Sequence, residues 1–164
     1  MSGLEENRRQ LHPEPVAAAE LVAAAVAEAT PGFDLGKVKL GTDVDPETPR
    51  VLADRERAGE VLASLLRNAR AHSATGGTVK VTAEPWEGRV RFAVADTGDG
   101  VPDALREQIF EPFYQVPGSQ DHGGVGLGLT IARSIVQAHG GEIHCESVEG
   151  QGSTFWFTLP AAQA

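Results

Sequence analysis

The chain has 164 residues, of which 41% are hydrophobic, so its size and composition suit one globular domain with its own core. Its formal net charge of -9 argues against binding to a nucleic-acid backbone or to an anionic membrane surface. The single cysteine, Cys145, cannot close an intrachain disulfide, and we expect it to be a packing residue. Because no apolar run approaches the roughly 18 residues that span a bilayer and no signal-peptide pattern is present, we expect a cytoplasmic protein.

Hydrophobic periodicity predicts the elements in chain order. Residues 1–10 lack a period and are expected to be a disordered leader or linker remnant. Helices are predicted at 16–30, ended by Pro31-Gly32, and at 54–71, 103–108 and 126–139. Strands are predicted at 37–44, 78–84, 89–95, 141–147 and 153–159, and the segment 110–125 is expected to be an irregular lid or a disordered connection. This order predicts an α/β two-layer sandwich over residues 11–160, in which three helices cover one face of a mixed, mostly antiparallel sheet, followed by a tail at 161–164.

Two glycine-containing segments superficially match familiar phosphate-binding motifs. The stretch from Gly32 to Lys37 is one residue short of a P-loop, and Val38 stands where a P-loop has Ser or Thr. The stretch 124–129 lacks the last glycine of the dinucleotide-binding fingerprint, and no strand leads directly into it. We therefore expect neither a P-loop nor a Rossmann site.

Four other short segments occur in a fixed order. They are LLRNA at 65–69 on a helix, DTGDG at 96–100 after a strand, GVGLGL at 124–129 opening a helix, and GQGST at 150–154 between strands. Together with FEPF at 110–113, they resemble the catalytic ATP-binding domain of sensor histidine kinases, whose superfamily (the Bergerat fold) includes gyrase, heat-shock chaperone and mismatch-repair ATPases. The resemblance covers residues 11–160. It implies binding of Mg²⁺-ATP and transfer of the γ-phosphoryl group to a histidine within a two-component phosphorelay.

Residue chemistry supports an adenine site at the second segment. A carboxylate at a strand end, as Asp96 is predicted to be, can accept a hydrogen bond from the exocyclic amine of adenine, whereas guanine presents an oxygen there. Gly98 and Gly100 permit positive φ and leave space for a flat base. In isolation, these three residues would be interpreted as an ordinary turn.

The resemblance places the phosphates between a helix and the lid. It implies that Asn68 binds Mg²⁺ through its amide oxygen and is the catalytic residue of this chain, although an isolated mid-helix Asn is usually a locally bonded side chain. Gly124, Gly126 and Gly128 lie where the lid becomes a helix, so free backbone N–H groups can meet the triphosphate. The remaining nucleotide contacts that it implies are His72, Val101, Leu127 and, through water, Thr154.

The sequence departs from the family pattern around the phosphates. Ser64 stands where many kinases have a second Asn and the hydrolysing relatives have a Glu, and Ala71 stands where many kinases have Lys. Residues 109–128 contain no Lys or Arg. We therefore expect Mg²⁺, the glycine-opened helix and Arg70 to balance the phosphate charge, so that ATP and ADP bind about equally and only with metal.

The chain lacks the family's phosphoacceptor motif, in which an acidic residue follows the histidine. None of its five histidines fits: His12, His72, His122, His139 and His144. Because the segment 11–16 looks like a junction to a helical hairpin, we expect this chain to be the catalytic piece of a longer sensor. Its partners would be a phosphoacceptor histidine domain of the same or a sister chain and a downstream response regulator. The alternatives are a nucleotide-sensing module without transfer activity, and an ATP-hydrolysing or serine-directed relative, against which Ser64 argues.

Overall fold

The computed structural model describes residues 11–73, 75–97, 125–148 and 152–162. Within these ranges the chain forms three helices and seven strands. The helices are α1 (Ala18–Leu35), α2 (Arg55–Ala71) and α3 (Val125–Ala138). The strands are β1 (Glu14–Val16), β2 (Lys39–Val44), β3 (Val51–Ala53), β4 (Thr78–Trp86), β5 (Arg89–Asp96), β6 (Ile143–Val148) and β7 (Gly152–Pro160). The leader 1–10, the helix predicted at 103–108 and the lid up to residue 124 lie outside the described residues.

The main sheet has five strands in the order β2-β4-β5-β7-β6. Strand β2 pairs with β4 in parallel, and the other three pairs are antiparallel. One face of the sheet supplies the buried side chains of the core, which also contains the apolar stripes of α1, α2 and α3. The predicted two-layer sandwich with a mixed, mostly antiparallel sheet is confirmed.

The helix that follows β3 forms because its start is capped and its apolar residues recur every three to four positions. The Asp54 side chain accepts hydrogen bonds from the backbone N–H groups of Glu56 and Arg57. The buried residues of the helix are Ala58, Val61, Leu62, Leu65, Leu66, Asn68 and Ala69. None of the described helices combines the length and apolar composition needed to cross a membrane.

The first helix is longer than predicted. It continues through Pro31 and ends at Leu35, because Phe33 is only 2% exposed and anchors the last turn in the core. Lys37 then adopts a left-handed conformation with φ 55, and the N–H groups of Lys37 and Val38 bond to the carbonyls of Asp34 and Phe33. This is a Schellman end, so the proline, which removes only one helical hydrogen bond, does not terminate the helix.

A second, two-stranded sheet was not predicted. Strands β1 and β3 pair antiparallel, with Val16 opposite Val51, and each is only three residues long. Val51 also bridges to Ala161, and the N–H of Ala162 bonds to the carbonyl of Arg50 at 2.7 Å. The first two residues of the expected tail therefore pair with the segment around β3.

Candidate functional site

Helices α2 and α3 pack against each other, and the start of α2 meets the end of α3, so the two helices run in opposite directions. The backbone N–H of Asp54, just before α2, donates to Nε2 of His139, just after α3, at 3.0 Å. Asn68 lies fourteen residues after Asp54, and Val125 lies fourteen residues before His139. At 1.5 Å per residue, both are about 21 Å from the Asp54–His139 contact. Asn68 and the first turn of α3 therefore lie at the same end of the helix pair.

A buried carboxylate ends strand β5. Asp96 is 6% exposed, and Ser153 of β7 donates to it twice: its Oγ lies 3.0 Å from Oδ2, and its backbone N lies 3.4 Å from Oδ1. Gly152 has φ +114, and a Cβ there would overlap the carbonyl oxygen of Asp96. The start of β7 is thus pressed against Asp96 and orients its carboxylate.

The end of α2 and the end of β5 are brought together by a short connection. Residues 72–77 join α2 to β4, whose first residue is Thr78. The next residue, Val79, pairs with Asp96. Thr97 bonds twice to Thr78. Its N–H donates to the carbonyl of Thr78 at 3.2 Å, and its Oγ1 accepts from the N–H of Thr78 at 3.1 Å. Thr97, which the sequence analysis did not single out, therefore continues the pairing of β5 with β4 one residue beyond Asp96.

The two hydroxyl residues at the start of β7 face opposite sides of the sheet. Ser153 pairs with Asp96 and shares its face, whereas Thr154 pairs with Ala95 and Glu146 on the other face, because side chains alternate along a strand. The structure does not bring Thr154 to Asp96. Ser153, which the sequence analysis passed over, holds the position that had been assigned to Thr154.

The other predicted contacts divide into those the structure describes and those it does not. His72 caps the end of α2, its backbone N–H bonds to the carbonyl of Asn68 at 3.2 Å, and its side chain is half-buried. The first turn of α3 contains Gly126, Leu127 and Gly128. Outside the described residues lie Gly98, Gly100, Val101 and Gly124.

Comparison with known proteins identifies the family. Residues 53–163 match the model of the histidine kinase-, DNA gyrase B- and HSP90-like ATPases. The chain belongs to this ATPase family. It is 38% identical over 141 residues to the alginate biosynthesis sensor protein KinB of Pseudomonas aeruginosa, an alignment that covers 86% of this chain and 23% of KinB.

Solved structures of histidine kinases superpose on this ATPase-family domain. Full-length ShkA in complex with AMPPNP gives a TM-score of 0.83 at 35% identity, covering 94% of this chain and 32% of ShkA. Histidine kinase ThkA in complex with the response regulator protein TrrA gives 0.78 at 31% identity, covering 93% of this chain and 42% of ThkA. The chain thus spans less than half the length of each of these proteins.

The cations near Asn68 are arranged differently from the sequence-based expectation. Arg70 extends toward α1, where a Cβ on Gly32 would lie 3.4 Å from its Nε. Since Arg70 is two residues, or about 200° of helix, from Asn68, it does not share the face of that amide. Arg67 instead donates from Nη2 to Oγ of Ser64 at 3.2 Å, one turn before Asn68. Arg67 and Ser64 thus contact each other on the helix turn that precedes Asn68.

The described residues fit a magnesium nucleotide. Asn68 is 4% exposed within the apolar stripe of α2, and an amide oxygen is a ligand of the type that Mg²⁺ accepts. It lies at the same end of the helix pair as the first turn of α3, whose N–H groups and positive dipole end favour an anion. Asp96, the last residue of the central strand β5, supplies a buried acceptor near the end of α2.

Proposed function

We propose that this chain is the catalytic ATP-binding domain of a sensor histidine kinase. It would transfer the γ-phosphoryl group of ATP to a histidine on a separate dimerisation domain. The observation that carries this proposal is the buried carboxylate of Asp96, which Ser153 aligns. This carboxylate lies at the end of β5, close to the point where α2 ends. The similarity to KinB, ShkA and ThkA supports the choice of kinase within the ATPase family.

Asp96 would recognise adenine. Its carboxylate accepts a hydrogen bond from the exocyclic amine, and the hydroxyl of Ser153 holds one carboxylate oxygen in place. Because a hydrogen bond to a charged group contributes about 1.5 to 3 kcal/mol, this contact accounts for roughly ten- to more than a hundredfold in affinity. A guanine nucleotide would place an oxygen against the same carboxylate and be repelled.

Asn68 and α3 would hold the phosphate end of the nucleotide. Asn68 offers its amide oxygen to Mg²⁺, and the first turn of α3 offers backbone N–H groups to the phosphates. The ion, when bound, spreads the charge of the triphosphate. With Arg70 directed toward α1, charge balance at this end depends on Mg²⁺ and α3.

The domain's part in transfer is to align the γ-phosphoryl group. Phosphoryl transfer passes through a loose transition state, so positioning supplies most of the catalysis that a protein can give. Ser64, whose hydroxyl accepts from Arg67, cannot deprotonate a water as a Glu could, so the domain should hydrolyse ATP slowly. We infer that the partners are a phosphoacceptor histidine domain and a response regulator, at the cytoplasmic end of a longer sensor.

Calorimetry with Mg²⁺-ATP tests the site. Asp96→Asn and Asn68→Ala should each weaken binding at least tenfold, because the first loses the charged acceptor and the second the amide ligand. Asp43→Asn is the matched control, since Asp43 is exposed on the edge strand β2 beside Lys80. Wild-type affinity in both Asp96→Asn and Asn68→Ala would refute the site.

Transfer is tested separately, because two features favour a second candidate function. Ala71 in place of a lysine and the absence of Lys and Arg from residues 109–128 are compatible with a nucleotide-sensing module that no longer transfers phosphate. Supplying the dimerisation domain of the intact sensor with radiolabelled ATP distinguishes the two, since only a kinase would label its histidine. Steady phosphate release without any partner would instead indicate an ATP-hydrolysing relative.

A further inference from the structure

A network of hydrogen bonds joins three parts of the domain at Asp54. Its Oδ1 accepts from the N–H groups of Glu56 and Arg57 at 3.1 Å each, and its Oδ2 accepts from the N–H of His12 at 2.9 Å. Its own N–H donates to Nε2 of His139 at 3.0 Å. Asp54 is 8% exposed, so these bonds are largely shielded from water. The incoming chain, the start of α2 and the end of α3 therefore meet at one residue.

His139 uses both of its ring nitrogens in this network. Nδ1 lies 2.9 Å from the carbonyl oxygen of Ile135, which can only accept, so Nδ1 carries the proton. Nε2 is then the acceptor for the N–H of Asp54. The ring is held in one tautomer and one orientation, and it fixes the end of α3 against the start of α2.

The side chains that α3 contributes to the core are apolar. From residue 129 to the end of the helix, the buried side chains are Leu129, Ala132, Ile135 and Val136. Apolar burial resists separation of the two helices but has no preferred direction, whereas a hydrogen bond depends on distance and angle. The Asp54–His139 bond is thus suited to fix how far α3 is displaced along α2.

That displacement matters at the other end of the helix pair. Asn68 and the first turn of α3 are both about 21 Å from the Asp54–His139 bond. A helix is stiff over this length, so a shift at one end is transmitted to the other. We propose that His139 is a positioning residue for nucleotide binding, which sets the distance between the metal ligand Asn68 and the phosphate-binding end of α3. The incoming chain at His12 acts through the same residue, Asp54. This inference rests on the proposed function.

Three substitutions of His139 in the full chain separate its two bonds. His139→Gln retains an acceptor where Nε2 stands, His139→Asn retains a donor where Nδ1 stands, and His139→Leu retains neither. Mg²⁺-ATP affinity, measured by calorimetry well below each melting temperature, should fall about 2- to 30-fold in the Asn and Leu variants, the range typical of coupling through packed elements. His139→Gln should bind nearly as well as wild type.

This pattern distinguishes positioning from a purely structural role. A structural role would lower the melting temperature of the Asn and Leu variants while leaving the nucleotide affinity of the folded protein unchanged, and that result would overturn the proposal. Failure of His139→Gln to bind better than His139→Asn would also overturn it. If Asp96→Asn abolishes binding while all His139 variants bind normally, the inference fails and the proposed function stands.

The contribution of the incoming chain is tested at the backbone of His12. His12→Pro removes the N–H that bonds to Asp54, whereas His12→Ala keeps it and is the matched control. His12→Pro should weaken Mg²⁺-ATP binding in the same direction as His139→Leu. The double variant should lose less than the combined effects, because both substitutions act through the position of Asp54. Equal affinity of His12→Pro and His12→Ala would refute this role of the incoming chain.

Discussion

Gly152→Ala should damage the proposed adenine site without replacing any of its side chains. Gly152 has φ +114, a conformation that residues with a Cβ rarely adopt, and the added Cβ would overlap the backbone carbonyl of Asp96. Holding a non-glycine residue in such a conformation costs about 1 to 3 kcal/mol. The overlap involves backbone on both sides, so β7 must move away from Asp96.

The consequence for binding follows from the two bonds that Ser153 makes to the Asp96 carboxylate at 3.0 and 3.4 Å. Moving β7 breaks at least the hydrogen bond from the Ser153 hydroxyl to the charged carboxylate of Asp96, and a bond of this kind contributes about 1.5 to 3 kcal/mol. We therefore expect Gly152→Ala to lower the free energy of unfolding by about 2 kcal/mol or more and the affinity for Mg²⁺-ATP at least tenfold.

Chemical unfolding and calorimetry check both numbers. Gly59→Ala is the control, because Gly59 lies within α2 and a Cβ there would meet nothing within 4 Å. That substitution should stabilise the domain by about 0.5 to 1 kcal/mol through helix propensity and leave binding unchanged. If Gly152→Ala matched wild type in stability and affinity, the account of how β7 orients Asp96 would be wrong.

Three further predictions concern the site and its supports. Ser153→Ala should lower Mg²⁺-ATP affinity about tenfold in calorimetry, whereas Thr154→Ala, on the opposite face of the sheet, should change it less than about twofold. Burial raises the pKa of the Asp54 carboxyl, but the backbone bonds from His12, Arg57 and Glu56 and the charge of Arg57 outweigh it and lower the pKa. The ionised carboxylate of Asp54 therefore stabilises the fold fully above about pH 4, and this stabilisation is lost as the pH falls through the lowered pKa. Asp54→Ala should lower the free energy of unfolding by about 1 to 2 kcal/mol at pH 7, and this difference from wild type should shrink in acid. With EDTA in excess, neither ATP nor ADP should bind measurably, and with Mg²⁺ their affinities should agree within about threefold; strong binding in EDTA would contradict the dependence on metal.

Much of the fold could be predicted because its elements are long and regularly patterned. The apolar stripe of α2 and the alternation of β4 and β5 identify these elements directly, and the two-residue turn between β4 and β5, in which Glu87 and Gly88 both have positive φ, is typical of a hairpin. Strands β1 and β3 were missed because three residues are too few to show an alternation. The first helix was predicted to end at Pro31-Gly32 because the burial of Phe33, which anchors its last turn, is a tertiary effect.

The sequence predicts the motifs of the candidate site but not the strand register that decides which side chains meet. The sequence offers two adjacent hydroxyls, Ser153 and Thr154, and only the pairing of Asp96 with Ser153 decides which one meets the carboxylate. The direction of Arg70 depends likewise on where α1 lies. The bond between Asp54 and His139 joins residues 85 positions apart, and no local pattern signals it.

A crystal structure of this chain with Mg²⁺ and a non-hydrolysable ATP analogue tests the central claim most directly. We expect the exocyclic amine of adenine within hydrogen-bond distance of the Asp96 carboxylate, the ion on the amide oxygen of Asn68, and the phosphates at the first turn of α3. A base bound away from Asp96, or a metal without Asn68 among its ligands, would contradict the account.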